Sequence, residues 1–170
     1  NITVAGAGVG NIKIAEFTIQ DGGGSNDGDG LGTILNSLTF TVSNFANVRR
    51  LALYDNSGTA FVGTEQAGAA SVTFSGLTLT AADNGSKTFS VYASFNPAVT
   101  DNQNIGLTVS AATPSPSGSG FAAGNAGAAA SVVTGNTNKI VVTATKLLFG
   151  TVPGGSTNTN LAAFTVSTTD

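Results

Sequence analysis

Apolar and polar residues alternate with a period of two along most of the 170-residue chain, and the 3.6-residue period of an amphipathic helix is nowhere sustained. That pattern predicts strands. Ile12, Ile14, Phe17 and Ile19 mark the first, with a change of face near Ala15 and Glu16 that predicts a bulge. Leu38, Phe40 and Val42 mark a second, and Val48 to Tyr54 a third with Leu51 and Leu53 on one face. A short fourth strand from Thr59 to Gly63 follows the turn Asp55-Asn56-Ser57-Gly58, where Asn and Gly tolerate positive φ. Val72 and Phe74 supply the fifth. After the turn Asp83-Asn84-Gly85-Ser86, the residues Phe89, Val91, Ala93 and Phe95 supply the sixth. Ile105, Leu107 and Val109 make the seventh, and Ile140 and Val142 an eighth. Residues 21–32 and 113–138 lack periodicity and read as loops, the second long enough to hold a minor strand through Ser131 to Val133. The expected fold is all-β, an immunoglobulin-like antiparallel β-sandwich of about seven to eight strands.

Composition narrows the chemistry. The chain has no Cys, Met, Trp or His and two Tyr, and only 9% of its residues are charged, against about 25% in ordinary domains. Disulfides, thiolate zinc sites, Cys nucleophiles and imidazole bases are therefore excluded, which leaves oxygen chemistry. Six basic against nine acidic residues, a net charge of −3, argue against a nucleic-acid partner, whose phosphates call for a basic stripe. No apolar stretch approaches the ~20 residues of a membrane span. The chain opens on Asn1 with no basic, apolar leader and reads as a piece of a longer secreted polypeptide. A cysteine-free chain suits the cytoplasm or an exported bacterial surface protein. The weakly charged, Thr/Ser/Asn/Gly-rich composition favours an extracellular or cell-surface location.

A repeat is visible at the two ends. Thr3-Val4-Ala5-Gly6 and then Asn11-Ile12-Lys13-Ile14-Ala15-Glu16-Phe17-Thr18-Ile19 stand near the start. Thr151-Val152-Pro153-Gly154 and then Asn158-Thr159-Asn160-Leu161-Ala162-Ala163-Phe164-Thr165-Val166 stand near the finish, and the second blocks match at an offset of 147. The pattern reads as one unit of a tandem array plus the opening of the next. Residues 1–10 are then a connector from a preceding unit and 11–145 the sandwich. Residues 146–170 carry the opening strand of the next unit, or an exchanged strand.

Three blocks carry a family likeness: Asn47-Val48-Arg49-Arg50-Leu51-Ala52-Leu53-Tyr54, then Thr73-Phe74-Ser75-Gly76-Leu77 through Asp83-Asn84-Gly85-Ser86-Lys87-Thr88-Phe89, then Thr100-Asp101-Asn102-Gln103 through Val109-Ser110-Ala111. Together, over about Ala15 to Thr143, they resemble repeat modules of the very large surface adhesins of gliding and related bacteria, exported by the type IX secretion route. The segment Lys146-Leu147-Leu148-Phe149 through Pro153-Gly154-Gly155 is similar to the opening strand of a following module in such proteins, without their usual Gln before Pro. The resemblance implies a spacer or filament-forming unit of a cell-surface adhesin, without enzyme activity.

Few motifs carry chemistry. Gly6-Ala7-Gly8-Val9-Gly10 imitates a dinucleotide fingerprint, but Asn11 stands where the third glycine belongs and a strand follows where a helix is needed. Residues 21–32 hold three of the seven aspartates. Carboxylates so close repel unless a cation neutralises them, and Ca²⁺ takes six to eight oxygens from a loop that glycines let fold tightly. Such a site would use Asp21, Asn26, Asp27 and Asp29. Against an EF-hand, Ser25, Asp27, Asp29 and Gly30 fall in place, but Asn36 replaces the bidentate Glu and the flanking helices are missing. A solvated acidic loop is the competing reading. Arg49 shares a face with Leu51 and Leu53 and is expected to pair with a carboxylate, and Arg50 to reach solvent.

The function expected from these observations is a structural repeat unit of an extracellular adhesin, stalk or filament. Its partners are neighbouring copies joined head to tail, with surface glycans or other cells as further partners and calcium as a stabilising ion. The alternative is a carbohydrate-binding β-sandwich, for which Tyr54 and Tyr92 are the tyrosines available to stack on a sugar.

Overall fold

The computed structural model of the chain describes residues 12–22, 27–100, 103–121, 123–124, 126 and 139–144, the last six by their backbone. The strands are β1 (Ile12–Gln20), β2 (Ile34–Val42), β3 (Val48–Asp55), β4 (Phe61–Ala67), β5 (Ser71–Phe74), β6 (Leu79–Thr80), β7 (Ser86–Phe95), β8 (Leu107–Pro114) and β9 (Lys139–Ala144). One turn of 3-10 helix, Phe45–Asn47, leads into β3. The predicted alternation is realised as two antiparallel sheets. One runs in the order β4-β3-β7-β1-β9; in the other, β2 is central, with β5 and β6 along one side and β8 along the other.

Alternate residues of both sheets point into one shared core, the arrangement of a β-sandwich. β1 contributes Ala15, Phe17 and Ile19, β3 Leu51 and Leu53, β7 Phe89, Val91 and Ala93; β2 contributes Leu35, Leu38, Phe40 and Val42 from the facing sheet. With Trp and Met missing, phenylalanines fill the volume. Phe17 stacks on Phe89 at 5.4 Å between ring centres and meets Phe40 of the opposite sheet edge-on at 6.2 Å, while Phe40 meets Phe74 at 6.3 Å.

Several boundaries differ from the sequence pattern for local reasons. The bulge in β1 lies between Lys13 and Ala15 and turns both Ile14 and Ala15 inward. β4 begins at Phe61 because the Asp55 carboxylate accepts the N–H groups of Thr59 and Ala60 at 2.9 and 3.0 Å and holds them in the turn. β6 has only two residues, too few for a period. It continues the line of β5 along β2 after an interruption over residues 75–78, where Gly76 takes φ +66°. The ion pair expected of Arg49 falls to Arg50, whose side chain still reaches solvent as expected. A register shift between Val48 and Arg50 breaks the alternation, so Arg49 is exposed, and Arg50 makes the ion pair, its Nε 3.5 Å from Glu65 Oε1. Ser131 to Val133, and the proposed flanking segments 1–10 and 146–170, lie outside the described residues.

β1 lies between β7 and β9, antiparallel to both. Ala15 pairs with Ala144 and Gln20 with Lys139, so the chain enters β1 and leaves β9 at the same end of the sandwich. Asp21 follows β1 at the opposite end.

Candidate functional site

The end of the sandwich beyond Gln20 is built from three connections. The register pairs Gln20 with Ser86, which carries Asp21 at the end of β1 up against the Asp83-Asn84-Gly85 turn that leads into β7. The Asp21 N–H donates to the Gly85 carbonyl at 2.8 Å. Its side chain is fully buried: one carboxylate oxygen accepts the Thr33 hydroxyl at 2.6 Å, the other the Asn84 N–H at 2.8 Å. Asn84 takes φ +57°, a conformation that Asn tolerates, and its Oδ1 accepts the Asp27 N–H at 3.1 Å. The third connection follows β8, where the Ser119 N–H donates to the Gly32 carbonyl at 3.1 Å and the Ser119 hydroxyl to Asp29 Oδ2 at 2.5 Å. Gly32 is fixed by crowding, since a Cβ there would stand 2.5 Å from the Ala81 carbonyl oxygen.

Carboxylate oxygens of Asp21, Asp27 and Asp83 gather within 4.8 Å of one another, Asp21 buried beneath and the other two exposed above it. Of the residues expected from the sequence, the structure brings Asp21 and Asp27 together. Asp29 turns away to the Leu31 N–H at 2.8 Å and to Ser119, and Asn26 lies outside the described residues. Asn36, the counterpart of the EF-hand glutamate, sits in β2, where its carbonyl accepts the Leu77 N–H at 2.9 Å. Asp83 joins instead, 54 positions beyond Asp29, the last of the loop's aspartates. Its signal was the antiparallel pairing of β1 with β7, which places the two acidic turns side by side.

The electrostatics separate the two loop aspartates. Desolvation at the cluster raises the carboxyl of Asp27 above its usual range, the Asp29 N–H works against this, and the charges of Asp29, Asp21 and Asp83 reinforce it. The Ser119 hydroxyl, then the Leu31 N–H, lowers that of Asp29. Asp29 is thus a satisfied structural acceptor. Among the described residues, Asp21, Asp27 and Asp83 are the carboxylates whose oxygens could together hold a hard cation such as Ca²⁺.

The second concentration of chemistry lies on the outer face of the five-stranded sheet. Tyr54 meets Tyr92 at 5.2 Å and Phe61 at 5.5 Å, both edge-on. Tyr54 is only 3% exposed, and burial, then the Glu65 charge, raises its phenol pKa. The rings spend most of their area on each other; Tyr92 and Phe61 keep the open edges. Comparison with known proteins returns no match, whether against family models, curated sequences or solved structures.

Proposed function

We propose that this chain is a structural β-sandwich unit of an extracellular bacterial surface assembly, joined head to tail with neighbouring copies and stabilised by calcium. One observation carries the reading: Asp21, Asp27 and Asp83 bring three carboxylates together where two separate connections meet at one end of the sandwich. A divalent cation there would neutralise their repulsion and tie the β1–β2 loop to the turn before β7. With two of the three donors exposed, such a site suits the millimolar calcium of extracellular modules, whose Kd values fall at about 10⁻⁴ to 10⁻³ M.

The immunoglobulin-like part of the reading has support in strand order. β2 with β5 and β6, and β3 with β7, correspond to the two central pairs of that fold, with β4 continuing outward from β3. Its first and last places are exchanged: β1 stands beside β7, and β8 stands beside β2. Head-to-tail joining also has to meet a geometric condition, because β1 begins and β9 finishes at the same end. β1 is about 30 Å long at roughly 3.3 Å per residue, and the roughly 13 positions between Ala144 and Asn158 reach about 43 Å when extended. The connector is long enough to carry the chain back to the far end.

The test is thermal unfolding in calcium and in chelator. The native chain is expected to melt several degrees higher at 10 mM Ca²⁺, and Asp83→Asn to lose that shift. Equal melting temperatures for the native chain under both conditions would refute the calcium assignment. The alternative, carbohydrate binding, has the Tyr92–Phe61 edge as its surface; glycan-array binding that disappears in Tyr92→Ala would favour it.

A further inference from the structure

We propose that the acidic end of the sandwich docks onto the opposite end of a second copy of this chain, against Phe45, Arg49 and Val99. The proposal rests on the module reading above and names the surfaces through which copies meet.

Charge is divided along the length of the sandwich. Every described aspartate, Asp21, Asp27, Asp29, Asp55 and Asp83, lies toward the end where β1 and β3 finish and β7 begins. Lys87 and Lys139 are the described basic residues there, so this end carries a net charge of −3 (2 − 5). None of the five aspartates makes an ion pair among the described residues. One Ca²⁺ at the cluster would leave −1, the same sign. The rest of the described chain holds Lys13, Arg49 and Arg50 against Glu16 and Glu65, a net +1 (3 − 2). Lys13 pairs with Glu16 and Arg50 with Glu65. Arg49, exposed near the start of β3, is left without an ion pair among the described residues.

Apolar exposure marks the same two ends. Among the described residues the exposed large hydrophobic side chains are Leu31, Phe45, Phe61 and Val99, of which Phe61 belongs to the tyrosine cluster. Phe45 and Val99, 42% and 52% exposed, stand at the Arg49 end on two connections that are fastened together. The N–H groups of Asn96 and Thr100 donate to the carbonyl and the Oδ1 of Asn47 at 3.0 and 2.8 Å, and the Asn96 amide donates to the Ala46 carbonyl at 2.8 Å. Leu31, 49% exposed, stands at the acidic end, where its N–H donates to Asp29. A lone exposed apolar residue is ordinary on a protein surface. Here such residues sit beside opposite charges on connections already held in place, so docking has little loose chain to order. Like ends repel, Arg49 facing Arg49 or aspartates facing aspartates, and the contact therefore joins unlike ends. A contact of that kind does not close on itself and continues from copy to copy.

The test is sedimentation velocity of the full chain, in chelator and in about 10 mM Ca²⁺. The native chain is expected to form dimers and longer species as its concentration rises to about 1 mM, and to form fewer when salt is raised from about 50 to about 500 mM. Phe45→Ser with Arg49→Ser disables one end, and Leu31→Arg, which sets a like charge before Arg49, disables the other. Each variant alone is expected to associate at least about tenfold more weakly. Mixed in equal amounts, they are expected to form dimers that grow no further, because each supplies the end that the other lacks. Thermal unfolding checks that each variant is folded, and Val99→Ser with Arg49→Ser replaces the first should it not be. A native chain that stays monomeric, a folded variant that associates like the native chain, or a mixture that stays monomeric overturns the proposal. A monomeric native chain that still melts higher in calcium overturns the docking alone and leaves the calcium assignment standing. Docking without a calcium shift does the reverse.

Discussion

The turn at Asp55 and the loop at Asp27 are made from the same few residue types, yet they end in opposite electrostatic states. In the first, Asp55 accepts the Ser57 hydroxyl at 2.7 Å and the N–H groups of Thr59 and Ala60, and these bonds, the Ser57 hydroxyl first, lower its pKa. In the second, Asp27 is pushed up by desolvation and by the carboxylates around it. The Asp55 turn closes a hairpin between adjacent strands, so every donor it needs is local. The Asp27 loop spans from one sheet to the other and meets a second acidic turn brought there by β7. Composition marks both as turns; only topology decides which one is left with charge to neutralise.

The largest expected effect comes from removing the buried anchor beneath the acidic loop. Asp21→Ala leaves the Thr33 hydroxyl and the Asn84 N–H without their acceptor, and is expected to cost about 2 kcal/mol or more in urea unfolding. Asp55→Ala removes only exposed bonds and is expected to lower the melting temperature by a smaller amount, a few degrees, with no change in any calcium response. Calcium itself comes next. For a Kd of about 1 mM, 10 mM Ca²⁺ stabilises by roughly 1.4 kcal/mol, and this is expected in the native chain and in Asp55→Ala but not in Asp83→Asn. An Asp55→Ala chain that lost its calcium response would erase the distinction between the two loops.

The smallest effect is in pH dependence, and the two loops differ in sign. Asp29 and Asp55 have lowered folded values, so what they contribute is present above the ordinary carboxyl pKa of 3.8 and is lost as pH falls through the lower folded values. Asp27 has a raised value, so its charged form opposes folding above 3.8, and protonation as pH falls relieves the strain. Carboxyl NMR titration without calcium is expected to place Asp29 and Asp55 below 3.8 and Asp27 above it. Added calcium should bring Asp27 down.

Much of the sandwich was legible because the buried face of each long strand obeys the period of two. Phe17, Phe40, Phe74 and Val91 all stand where the alternation puts them. What escaped was set by pairing between distant segments. β6 is visible only as the continuation of β5 along β2, and the roles of Arg49 and Arg50 turn on one register shift. Only two of the three carboxylates of the acidic site were readable for the same reason. Asp21 and Asp27 share a loop, whereas Asp83 reaches them through the β1–β7 register, which no local pattern encodes.

The shared entry and exit of β1 and β9 decides how a pull on the chain would load the sheet. Tension applied through these two antiparallel neighbours pulls on the same end, so their ladder from Ala15–Ala144 to Gln20–Lys139 opens one pair at a time. Such unzipping resists far less force than shearing all the pairs at once.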